Sequence, residues 1–282
     1  MPAPAPSAFA LGSTLRLALA VRPRGGRAGG ALGRAPGSSL EFEDRRAYVA
    51  GDDVRHVDWR ALARTDQVVV RQHREEVTPV LELLVDDSAS MGTDGAKAQL
   101  CVDVACVLAS AARSGGLAVR MIRLGNAPEL VEAQGFDTRG FDFTGRSPLG
   151  DTFAQAGRLL RPGTTRVLVS DFLSPHEPRL LVSRLAAGAG ACALVQVLSA
   201  FDVNPAAGEA LRLVDAESDA SLNLVLDERT VAAYRQRLER WTAGLSEEAR
   251  RVGGRMVTLE ATATLEDAAR GPLCARGVLE PA

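Results

Sequence analysis

The sequence predicts an α/β fold, a mainly parallel, doubly wound sheet preceded by a charged, β-containing extension. Three observations lead there. From Thr78 onward, apolar runs alternate with longer helical patterns, as strands joined by crossover helices do. Runs such as "LLV" before Asp86 and "VLV" before Ser170 are continuous rather than alternating, the pattern of strands buried on both faces. Asp86 and Asp171 then stand just after such runs, at the strand ends where open α/β sheets bind ligands.

In chain order, residues 1–39 read as a flexible arm. Ala, Pro, Gly and Arg dominate it, as in "RPRGGRAGGALGRAPGSS", with too little apolar surface to drive ordering. Residues 40–77 form the extension, expected to sit on the main domain, where acids and arginines alternate around Phe42, Tyr48, Trp59 and the short strand "QVVV". Residues 78–270 form that domain. Strands are expected at Val80–Val85, Leu117–Leu124, Arg166–Ser170, Ala193–Leu198 and Arg255–Leu259. Helices are expected at Ala96–Arg113, Pro148–Leu160, Pro178–Ala187 and Glu228–Arg250. The last helix places Val231, Tyr234, Leu238, Trp241 and Leu245 on one stripe, the face that docks onto a sheet. Residues 271–282 remain as a tail.

Composition narrows the function. A net charge of -2 gives no push toward nucleic acid or acidic membranes. The extension holds nine acids against seven arginines, whereas a nucleic-acid surface shows basic excess. Interleaved ion pairs suit it better, either as a docking face or as an internal network. In the internal version, which the aromatic residues favour, Asp52, Asp53 and Asp58 pair with Arg55, Arg60 and Arg64 around buried Trp59 and Tyr48. Cys101, Cys106, Cys192 and Cys274 make no CxxC pair, and His56, His73 and His176 are scattered. That spacing argues against a disulfide framework, a zinc site or a histidine triad. No apolar stretch approaches the roughly 20 residues of a membrane helix. "MPAPAPSAFALGS" lacks the basic start of a signal peptide, so a cytoplasmic location is expected. The sole lysine, Lys97, follows Gly95-Ala96 outside any G-x-x-x-x-G-K-[ST] loop, which argues against ATP hydrolysis by this chain.

Asp86, Ser88 and Ser90 form D-x-S-x-S directly after a strand. Serines cap helices and acids favour helix N-termini, so the motif alone is only suggestive. Two further segments add to it. In "GRSPLGDTF", Ser147 takes the N-cap position before Pro148, with Thr152 as a rival inside the helix. In "TRVLVSDFL", Asp171 follows another strand. Three strand-end loops thus offer hydroxyl and carboxylate oxygens from one edge of a sheet. Magnesium, or manganese in its place, takes such hard oxygens in octahedral geometry and keeps several waters.

"LLVDDSASM", "GRSPLGDTF" and "VLVSDF" resemble the metal-ion-dependent adhesion site (MIDAS) of a von Willebrand factor A-like domain, whose sheet is of the Rossmann type. "GDDVRHVDWRALART" resembles the hallmark of the bacterial domain-of-unknown-function family fifty-eight, in which that hallmark precedes an A-type domain. "DAESD" and "AAYRQRLERW" add to the resemblance. It implies direct ligation of the metal by Ser88 and Ser90, with Asp86 and Asp171 holding its waters. Ser147 stands where the family has threonine. The resemblance also implies a non-enzymatic module that binds a protein whose carboxylate completes the magnesium shell. Its implied companion is a MoxR-type AAA+ ATPase, the pair acting in assembly, maturation or stress protection of other proteins. The alternative is a magnesium-dependent hydrolase or phosphatase using Asp86 and Asp87. Against it, Ser88 stands where aspartyl phosphotransferases place a second acid, and no His or Lys lies close in sequence as a base.

Overall fold

The strands and helices expected between residues 78 and 270 form, most of them within two residues of the limits read from the sequence. The computed structural model describes residues 2–19, 40–75, 78–131, 141–174, 176–208, 210–216 and 220–282. They fall into two units, Met1–Gly25 with Pro79–Ala282, and Gly26–Thr78.

The larger unit begins with α1 (Pro6–Ser13) and β1 (Leu15–Leu17). The smaller unit follows with β2 (Leu40–Ala47), α2 (Trp59–Thr65) and β3 (Val69–Glu75). The larger then resumes with β4 (Val80–Asp86), α3 (Gly95–Ser114), β5 (Ala118–Leu124) and β6 (Pro128–Val131). Next come α4 (Leu149–Ala156), β7 (Thr165–Ser170), α5 (Pro178–Ala186), β8 (Ala191–Leu198) and α6 (Ala200–Val203). A hairpin of β9 (Ala210–Val214) and β10 (Ser221–Val225) leads to α7 (Glu228–Arg251), β11 (Arg255–Glu260) and β12 (Leu279–Pro281).

The central sheet runs β11-β8-β7-β4-β5-β6, parallel throughout except for the antiparallel edge strand β6. Because side chains alternate across a strand, each of the five parallel strands feeds two cores. Leu81, Leu83 and Val85 of β4 enter one, with Val167 and Val169 of β7 and the apolar face of α3. Leu84 and Leu168 enter the other, beneath α4, α5 and α7. Val231 and Leu245 on the α7 stripe are buried, and Trp241 packs against this second core. The fold is therefore mixed α/β with a mostly parallel sheet.

Two expectations for the ends of the chain are corrected. The arm assigned to residues 1–39 is structured over residues 2–19, and the 271–282 tail supplies β12, which pairs antiparallel with β1. Composition misleads here because tertiary contact orders α1. The backbone N–H of Ala5 donates to Asp103 Oδ1 (2.8 Å), and Gly12 rides so close to α3 that an added Cβ would lie 2.5 Å from Ser110 Cβ. Residues 20–39 lie outside the described residues.

A third correction concerns α3. It has the length and composition of a membrane-crossing helix, which the sequence reading denied to every segment, yet 78% of its apolar window is buried. Three of the four cysteines, Cys101, Cys106 and Cys192, are buried.

In the smaller unit, Asp58 is buried and caps α2, its Oδ1 accepting from the Arg60 and Ala61 backbone (both 3.1 Å). Arg55 pairs with Asp53 at 2.6 Å. Trp59, expected to anchor an internal network, is 62% exposed. Trp59 opens α2, while the buried apolar residues of this unit, among the described ones, are Val57, Ala61 and Val70.

Candidate strand-end site

β4, β7 and β8 are adjacent and run the same way, so their carboxyl ends open side by side. Asp86 closes β4 and is buried. Its Oδ1 accepts the Ser88 backbone N–H (3.0 Å), and its Oδ2 accepts the Ser170 hydroxyl (2.6 Å). Burial first, then the charge of Asp171, pushes its pKa up to about 7. Ser88 Oγ and Ser90 Oγ lie 3.0 Å apart and share a hydrogen bond. The loop holding them is pinned from the side: Ala89 N donates to Gly145 O (2.7 Å) and Gly145 N to Asp87 O (2.9 Å). Only glycine fits there, since a Cβ on Gly145 would sit 2.9 Å from both Asp87 O and Gly125 Cα.

Asp171 follows β7. Its Oδ1 accepts Leu173 N–H (2.9 Å), and its Oδ2 accepts the Lys97 ammonium (2.7 Å). Lys97 lies in the first turn of α3 and also donates to Asp202 Oδ2 (3.0 Å). Asp202 belongs to a capping box with Ser199 at the start of α6, directly after β8. Burial works against the Lys97 charge, but Asp171 and Asp202 outweigh it and hold the ammonium above its ordinary pKa. Phe172, next to Asp171, adopts the left-handed backbone region at φ 57°, costly for a side chain of this size. Its carbonyl accepts Trp241 Nε1–H (2.8 Å) and Tyr234 donates to the Asp202 carbonyl (2.7 Å), so α7 braces both loops.

The structure brings Asp86, Ser88, Ser90 and Asp171 together. Ser147, two residues beyond the Gly145 that bridges to Ser88, instead donates weakly to Asn126 O (3.3 Å). It is not the N-cap of α4 either. Pro148 is extended at ψ 139° and takes that place, so the helix starts one residue late. Thr152 is fully buried and donates to Gly125 O (3.0 Å).

Magnesium or manganese would need several hard oxygens with free lone pairs. Here one oxygen of Asp171 faces an ammonium and the other a backbone N–H, while both of Asp86 already have protein donors. Among the described residues, no three His, Cys, Asp or Glu side chains form a metal-holding group. A fixed ammonium on Asp171, with no cluster of three acid side chains beside it among the described residues, makes the site as placed a poor fit for a resident divalent ion. Sequence reasoning missed Lys97 and Asp202. Two signals pointed to them: the only lysine in an arginine-rich chain, and the S-x-x-D pattern of Ser199 to Asp202.

Residues 44–135 match the family model described as "Protein of unknown function DUF58". "Uncharacterized protein Rv1480" of Mycobacterium tuberculosis and "Uncharacterized protein Mb1516" of Mycobacterium bovis are each 31% identical over 255 residues, covering 82% of this chain and 80% of the relative. Among solved structures, "conserved hypothetical protein BatB" from Bacteroides thetaiotaomicron overlaps 64% of this chain and 90% of its own at 11% identity and TM-score 0.34. An "aerotolerance-related membrane protein" from Bacteroides fragilis overlaps 71% and 98% at 11% identity and TM-score 0.37.

Proposed function

The chain belongs to the DUF58 family, and from that premise we propose that it is a non-enzymatic protein-binding module of the von Willebrand factor A-like kind. The observation that carries the reading is the rim of the strand-end site. Leu173, 37% exposed, and Phe201, 48% exposed, flank the two residues that Lys97 holds, Asp171 and Asp202. Exposed apolar side chains held on fixed loops offer a protein partner apolar surface to bury. Phe172 and the bracing from α7 hold that rim in one shape, which lowers the ordering cost of binding.

The partner implied by the family resemblance is a MoxR-type AAA+ ATPase, with the pair acting on the assembly, maturation or stress protection of other proteins. The hydrolase alternative gains a lysine from the structure but not a base, because two carboxylates hold Lys97 as an ammonium. Capture of a MoxR-type ATPase by the full chain tests the reading. The double variant Leu173→Arg, Phe201→Arg should lose capture while keeping its circular dichroism and melting temperature. Undiminished capture by that folded variant would move the docking face elsewhere.

A further inference from the structure

Lys97 sits in a place that is doubly unfavourable for a positive charge. It is 1% exposed, and it lies in the first turn of a 20-residue helix, where the macrodipole favours anions. An ammonium remains there only if carboxylates are built around it. They are: Asp171 Oδ2 at 2.7 Å from the loop after β7, and Asp202 Oδ2 at 3.0 Å from the helix after β8. Asp202 Oδ2 also accepts the Ser199 backbone N–H (2.9 Å), which fixes its aim. One nitrogen thus ties α3 to the ends of two neighbouring strands.

We infer that the Lys97 ammonium is the resident cation of the strand-end site, joining its loops and balancing its carboxylates so that the site is assembled without a divalent metal. A metal ligated through Asp171 would have to share that carboxylate with a fixed positive charge already in hydrogen-bond contact with it. The four carboxylate oxygens of Asp86 and Asp171 each accept a protein donor. Ser88 and Ser90 bond to one another. Partner recognition then does not run through a carboxylate completing a metal shell, because the site is assembled without one. The inference is independent of which protein the module binds.

Two measurements on the full chain test it, neither needing a partner. Thermal melts of the unaltered protein should coincide in magnesium, in manganese and in chelator. Lys97→Met, which keeps the stem and removes the charge, should lower the melting temperature by about 6–20 °C, the loss expected when one partner of a buried pair is removed. Because Lys97 is the only lysine, an amine-acylating reagent followed by peptide mass analysis reports on it alone among side chains. It should stay unmodified in the folded protein whether or not magnesium is present, and react after denaturation. A saturable rise in melting temperature with magnesium or manganese would overturn the inference. So would acylation of folded Lys97 that appears only when magnesium is added, since metal would then have displaced the ammonium. If Lys97→Met fails to fold, the melts and labelling of the unaltered protein still decide.

Discussion

Replacing Glu82 by Gln should unfold the larger unit far more readily while leaving its strand-end loops in place. Glu82 is the third residue of β4, at the opposite end of that strand from Asp86, and it is fully buried. Its Oε2 accepts Arg166 Nε (3.2 Å) and the Thr164 hydroxyl (2.9 Å), and its Oε1 accepts the Arg161 backbone N–H (2.9 Å) and Arg120. The amide keeps the volume but removes the charge and turns an N–H₂ toward donors. Arg120, partly exposed, can turn to water, so its loss counts for little. Arg166 cannot, because its side chain is 3% exposed, and a buried ion that loses its partner costs about 3–5 kcal/mol. With a urea m-value of about 3 kcal/mol/M, that is a midpoint shift of roughly 1–1.7 M. Trp241, hydrogen-bonded to Phe172 O, reports on unfolding of this unit by fluorescence. A shift worth less than about 1 kcal/mol would refute the reasoning. The carbonyls of Arg161, Leu185 and Ala187, which Arg166 also bonds, would then suffice to hold it.

Two further outcomes follow from the geometry. His176 lies edge-on to Trp241 at 4.9 Å, and burial pushes its pKa below the ordinary 6.5. Its contribution to stability is therefore complete above pH 6.5 and is lost as pH falls through the lower folded-state value. His176→Phe should flatten that part of the melting temperature's pH dependence, and parallel profiles for the two proteins would contradict the assignment. Thr152→Val should cost about 1–3 kcal/mol by stranding the buried Gly125 carbonyl, whereas Ser147→Ala should stay within about 0.5 kcal/mol. Urea titrations giving the reverse order would restore Ser147 as the hydroxyl that matters.

The central sheet was legible because parallel strands buried on both faces leave short, unbroken apolar runs, here alternating with longer helical patterns. The D-x-S-x-S loop was legible for a related reason, since a carboxylate directly after such a run has to face the strand end. Lys97 was opaque. A lysine in the first turn of a helix has the sequence pattern of a solvated surface charge, and its burial depends on Asp171 and Asp202, 74 and 105 residues away. Helix α1 was opaque for the same physical reason: its Ala- and Gly-containing sequence makes a weak helix alone and gains order only against α3. Trp59 shows the opposite error, an aromatic residue expected to anchor a buried ion-pair network and found 62% exposed.

The order of strands in the central sheet has a consequence for synthesis. Counting along the chain, β4 comes first and takes a middle position, β5 and β7 flank it, and β6, β8 and β11 are added outward. Each strand leaving the ribosome therefore finds an edge already waiting, and none has to insert between two that are paired. At about 5–20 residues per second, the β4 edge is offered to solvent only until β7 arrives, and the β8 edge until α7 and β11 follow. Outward growth from β4 thus never requires a paired edge to open, and β12 can meet β1 only after every strand of the central sheet has been made.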